Sequence, residues 1–151
     1  GAAIALAGDI IIGGTSSEIA FPESRRGLVA AFGGAMLSFK SPATCVSKML
    51  LTGETMDAQQ AKDNGLINEV VAPDLTWARA HEIIDSIGEA SPQSIQLTRK
   101  YLYESLAPSI ESNLRSACGT AATARFTLAA KEGVSAFIEK RIPDWDEAYN
   151  S

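Results

Sequence analysis

One carboxylate stands out in a chain otherwise poor in reactive groupings. Glu23 lies in "AFPESRRG", behind Pro22 and ahead of Arg25 and Arg26. A glutamate held in a proline-led turn serves as a general acid or base when it is aimed into a site. The same residue in a loop is ordinarily a solvated surface charge, and spacing alone leaves both readings open. Arg25 and Arg26 are equally open: they act electrostatically on Glu23, lie over a ligand's phosphates, or face water.

Other chemistries are weakly represented. His81 is the only histidine and sits in a helical pattern among Ala80, Glu82 and Ile83. That argues against a Ser-His-Asp triad and against a histidine-rich metal site, so no metal is expected. Cys45 and Cys118 are far apart, without CxxC or metal spacing, and read as buried free thiols of a reducing compartment. Lys140 and Arg141 close an apolar helical pattern, a place where cations complement the helix dipole.

The elements that must position these residues fall into two regimes. Residues 1–73 are rich in Gly, Ala and β-branched residues. There, "AAIALA" reads as a short buried helix, "DIIIGG" as a fully buried strand and "EIAF" as a second strand. "SPATCVSKMLLTG" reads as a helix stopped by Gly53. "TMDAQQAKDNG" is a second, with Asp57 near its start and Gly65 as its stop. "LINEVV" is a strand ended by Pro73, and the alternation suggests right-handed βα units. Gly33 and Gly34 are read as permitting a close turn.

Residues 74–142 read as nearly continuous helix. Trp77, Ala80, Ile84 and Ile87 share one face, and Pro92 opens a helix carrying Ile95, Leu102 and Leu106. Pro108 is expected to break it. Ile110, Leu114, Ala117, Ala121, Ala124 and Leu128 then form a regular small-residue stripe against which another helix can approach closely. The last helix carries Val134, Phe137 and Ile138. These stripes are read as core or interface.

Composition sets the outer bounds. The 151 residues suffice for one domain with a real core, and 46% apolar with 21% charged residues is ordinary for a globular protein. A net charge of -5 and a pI near 4.9 argue against nucleic acid as a partner. They leave room for a small anionic ligand held by a few local cations. The apolar start "GAAIALAGDIIIGG" lacks a basic flank, is interrupted by Asp9 and is too short to span a bilayer. No membrane segment is expected, and a cytoplasmic location is. The chain does not begin with Met and opens inside an apolar element, so it reads as a fragment or processed piece.

Four stretches, in order, resemble the C-terminal half of the enoyl-CoA hydratase/isomerase family, also called the crotonase family. They are "GAAIALAGDI", "IAFPESRRGLVAAFGG", "LLTGETMDAQQAKDNGLINEVV" and "KEGVSAFIEKRIPDW". The resemblance implies an α/β fold: the C-terminal part of a ββα spiral in residues 1–73, holding the oxyanion helix and the Pro-Glu loop. A helical trimerisation region would follow in residues 74–151. It implies an acyl-CoA thioester as substrate, coenzyme A as part of that substrate rather than a separate cofactor, and a homotrimer or dimer of trimers. Two backbone N–H groups would hold the thioester oxygen and stabilise an enolate. One comes from the Gly-rich helix start, at Gly1 or the residue before it; the other belongs to a first half that this sequence does not contain.

Many hydratases of the family pair two glutamates to bind water and move its protons. Glu23 matches the second, and the first falls at Ala3, which has no proton to exchange. One positioned carboxylate suffices to carry a proton between two carbons, as in family isomerases. The resemblance therefore favours isomerisation over hydration, with loss of activity as the other meaning of Ala3. It also places Phe137 and Lys140 against the CoA nucleotide, often across a subunit boundary. The alternative to an enzyme is a family member that binds acyl-CoA, or only assembles, without catalysis.

Overall fold

A computed structural model describes residues 1–150. The chain begins with a short helix, α1 (Ala2–Ala5), and strand β1 (Ile12–Gly14). Strand β2 (Glu18–Ala20) leads into a 3-10 turn over Pro22–Arg26. Helices α2 (Ala31–Lys40) and α3 (Ala43–Thr52) follow, then strand β3 (Thr55–Asp57) and helix α4 (Ala58–Asp63). Strand β4 (Glu69–Val71) and a second 3-10 turn, Pro73–Leu75, close the mixed part. From there the chain is helical: α5 (Thr76–Gly88), α6 (Pro92–Arg125), α7 (Leu128–Glu139) and α8 (Trp145–Asn150).

The strands pair in two small sheets. β1 and β4 run parallel, with Gly13 opposite Val70, and β2 and β3 run antiparallel, with Ile19 opposite Met56. Two-stranded sheets this short are marginal alone, so side chains reinforce them. Asn68 accepts from the Ile11 N–H at 2.8 Å and returns its own N–H to the Ile11 carbonyl. Helix α4 starts with a full capping box: Asp57 accepts from the Gln60 N–H, and the Gln60 side chain accepts from the Asp57 N–H. α3 stops at Gly53 as expected.

Leu6, Phe21, Met36, Leu37, Met49 and Leu66 are among the buried side chains that form the core. Ile110 and Leu114 of α6 pack against them, which ties the long helix to the mixed part. The partner of the small-residue stripe is α2 of the same chain, and Ala117, Ala121 and Ala124 are half-buried. Leu128 is not part of it, because α6 ends at Arg125 and Leu128 opens α7.

Five further expectations are corrected. Pro108 does not divide the helix: α6 runs on through that position. A proline deletes one backbone hydrogen bond and bends a helix, but it does not end one whose next turns are held by packing. The α1 helix is not buried; its Ile4 is 76% exposed, and only Leu6 just beyond it enters the core. Cys118 is exposed and Cys45 half-buried, so neither is a buried thiol. Gly33 and Gly34 lie inside α2 rather than in a turn. A Cβ on Gly33 would fall 2.2 Å from the Phe21 ring, so what the glycine provides is space for a neighbour. Finally, the Val134–Ile138 helix is not the last, since α8 follows it.

Candidate active site

The 3-10 turn carrying Glu23 is gripped from two sides. On one side Arg25 donates from Nε to the Thr52 carbonyl at 2.7 Å, and the Ser24 hydroxyl reaches the Leu51 carbonyl at 3.4 Å. Both carbonyls belong to the last turn of α3. On the other side α7 lies almost in backbone contact. Gly27 has φ +65°, and a Cβ there would sit 2.0 Å from the Ala129 carbonyl oxygen. A Cβ on Gly133 would sit 2.3 Å from the Arg26 carbonyl carbon. Two glycines therefore permit an approach that no larger side chain allows. Arg26 completes the grip, with its guanidinium 4.0 Å from the centre of the Phe137 ring.

With its neighbours so engaged, Glu23 is left to face a cavity of about 770 Å³. The cavity lies between the turn, the end of α6 and the start of α7, and Leu28, Val134 and Ile138 are among its apolar walls. The bend between the two helices is shaped by Thr127, whose hydroxyl donates to the Ala124 carbonyl and accepts from the Ala130 N–H. Glu23 is half-buried, and its Oε2 is buried without a hydrogen-bond partner. A buried carboxylate oxygen with no protein donor is costly, and such a group calls for strain, a catalytic role, or a water or ion that completes it.

The other expected site residues lie elsewhere. Gly1 is exposed and caps α1, its carbonyl accepting the Ile4 and Ala5 N–H groups at 3.1 Å. Ala3 is half-buried against the core, and neither Gly1 nor Ala3 lines the cavity of Glu23. Phe137 and Lys140 are exposed at the end of α7, also outside that cavity. Lys140 is the C-cap of α7 in the left-handed conformation, φ +56°. Arg141, its sequence neighbour, is committed to structure: it bonds Glu132 and Glu139, and the Asp144 N–H also donates to Glu132. These donors hold the Glu132 carboxyl down at about 2. Lys140 and Arg141, equivalent in the sequence, are thus separated by the fold. The stacking of Arg26 on Phe137 had no signal in the sequence.

Comparison with known proteins decides the family. The profile described as enoyl-CoA hydratase/isomerase matches residues 1–148. The chain belongs to the enoyl-CoA hydratase/isomerase family. It is 30% identical over 146 residues to the 2,3-dehydroadipyl-CoA hydratase of Escherichia coli strain K12, covering 96% of this chain and 57% of that protein. It is 31% identical to the carnitinyl-CoA dehydratase of Proteus mirabilis, covering 94% and 56%. Among solved structures it superposes on a carnitinyl-CoA dehydratase from Mycobacterium avium with a TM-score of 0.86 at 32% identity, covering 94% of this chain and 57% of the other. The fold is the C-terminal part of the one these family members share. The chain spans little more than half the length of the curated relatives it matches. Among the described residues no helix is long and apolar enough to cross a membrane.

Proposed function

We propose that this chain forms part of an enzyme acting on acyl-CoA thioesters, with Glu23 as its proton carrier. The observation that carries the reading is Glu23 itself: it lines a largely apolar cavity, and its Oε2 is buried without a partner. In the proposed step the carboxylate takes a proton from the carbon beside the thioester carbonyl. The electron pair moves onto the thioester oxygen, giving an enolate held by backbone N–H donors, one of them at or just before Gly1. Glu23 then returns the proton to a carbon further along the chain, so the double bond migrates and no atom is gained or lost. Ala3 offers no second carboxylate to hold water, which favours isomerisation over hydration.

Phe137 and Lys140 are proposed to meet the CoA nucleotide, with Arg26 behind the Phe137 ring. Coenzyme A enters as part of the substrate, and no separate cofactor is required by this step. Assembly into trimers is proposed for the exposed apolar faces of α5 and α6. Ala3 also favours a second reading, a family member that binds acyl-CoA without turning it over.

The test is Glu23→Gln in the full gene product, assayed for double-bond migration and for water addition. Turnover falls about 10²–10⁴-fold with acyl-CoA affinity nearly unchanged if Glu23 carries the proton. Undiminished turnover returns Glu23 to the surface, and wild-type binding with neither reaction establishes the non-catalytic reading.

A further inference from the structure

The cavity that holds Glu23 also carries two cations that the proton chemistry does not use. Arg125 stands in the last turn of α6 and Lys131 in the first turn of α7, and both line the cavity. Among the described residues neither takes part in an ion pair, whereas Arg79 and Arg141 each engage two carboxylates. They do not neutralise Glu23, whose Oε2 has no partner. Arg125 has a local explanation, since a cation complements the C-terminal end of a helix. Lys131 has the opposite: the start of a helix disfavours a cation, and the first turn of α7 contains no acid. The chain as a whole carries 18 acidic against 13 basic residues, yet the charges lining this cavity are two positive and one negative. The remaining wall is largely apolar, with Leu28, Val134 and Ile138.

A ligand that fits this arrangement has an apolar stretch and an anionic end. We propose that Arg125 and Lys131 form an anion subsite that selects acyl-CoA thioesters whose acyl chain ends in a carboxylate. The proposal rests on the reading of the Glu23 cavity as the place where the acyl group reacts. Glu23 would meet the reacting carbons, the apolar wall the intervening methylenes, and the two cations the far carboxylate through charge-assisted hydrogen bonds. The cations lie on opposite sides of the Thr127 bend, so they reach the cavity from different helices. Phe137 and Lys140, proposed for the nucleotide, lie outside it. The competing assignment is that Arg125 and Lys131 hold CoA phosphates. That would make them indifferent to the acyl terminus.

The experiment uses the full gene product and two enoyl-CoA thioesters of equal chain length, one ending in a methyl group and one in a carboxylate. The ratio of their kcat/KM values is measured for wild type, for the double variant Arg125→Gln/Lys131→Gln, and for Glu23→Gln. The proposal expects a wild-type ratio of about ten or more in favour of the carboxylate, falling to about one in the double variant. A wild-type ratio near one overturns it. So does a double variant that loses equally on both substrates, which is the signature of phosphate contacts. If turnover is too slow to measure, the ratio of dissociation constants of the two thioesters from calorimetry is read in the same way. Full activity of Glu23→Gln on both substrates would defeat the proton-carrier reading, while the ratio would still judge the anion subsite.

Discussion

Two sides of this molecule are built differently. Around the 3-10 turn the backbone is closed in from two sides: Gly27 and Gly133 bring α7 onto the turn, Arg26 stacks on Phe137, and Arg25 and Ser24 fasten it to α3. Along α5 and the first half of α6 the apolar side chains are open. Trp77 is 79% exposed, and Ile84, Leu97, Tyr101 and Tyr103 are also exposed. Arg79 ties α5 to β4 by bonding Glu69 at 2.6 and 2.8 Å, and it bonds Glu82 within its own helix at 2.7 Å. Apolar residues at helical spacing occur on both sides. Periodicity therefore states that a helix has an apolar face, and not whether the same chain covers that face.

The largest expected effect strikes the closed side. Gly133→Val places side-chain carbons where the Arg26 backbone lies, and overpacking against backbone costs about 3 kcal/mol. Thermal unfolding should show a drop in Tm of many degrees. An unchanged Tm would mean that the close approach of α7 does not hold the turn.

A smaller effect comes with acid. The Glu132 carboxyl is held at about 2 by the Arg141 guanidinium and the Asp144 N–H, against an ordinary value near 4.5. A carboxyl lowered in the folded state adds stability above its unfolded value, and loses it as the pH falls through its folded value. The junction of α7 with the segment leading to α8 should therefore loosen between about pH 4.5 and pH 2. A carboxyl titration of Glu132 by NMR, with amide exchange of residues 141–145, checks this. An ordinary midpoint near 4.5 would remove the clamp from the closed side.

The smallest stability effect is expected on the open side. Tyr101→Glu in the 151-residue chain should change stability by about 0.5 kcal/mol or less. It should nonetheless shift sedimentation from larger species toward the 15.9 kDa monomer. A Tm loss like that of Gly133→Val, with sedimentation unchanged, would show the face already covered within one chain and dissolve the contrast.

Much of the local structure was legible because its causes are local. Asp57 and Gln60 cap α4 through groups three residues apart, Pro92 opens α6 behind Ser91, and Gly53 ends α3. The candidacy of Glu23 was legible only through the motif around it. Helix α2 was not seen, because "AFGGAMLSFK" carries two glycines in its first turn that weaken a helix in isolation. Gly33 and Gly34 became helical residues only once Phe21 and Leu50 were there to fill the space beside them.

What the sequence determined by itself was the succession of capped and stopped elements, the acidic balance, and a single glutamate, Glu23, in the proline-led turn. These depend on side chains acting on their own backbone or on simple counts. The tertiary structure alone decided which neighbours become partners. It sent Arg25 to α3 and Arg26 to Phe137, tied Arg141 down while leaving Lys140 exposed, and carried α6 through Pro108 along α2. It also set Arg125 and Lys131 around the cavity of Glu23. The pairings of Arg25 with Thr52, Arg26 with Phe137 and α6 with α2 join residues far apart along the chain. Their energies arise only when packing excludes water and brings the groups within contact distance, and nothing in the spacing of the residues encodes that meeting.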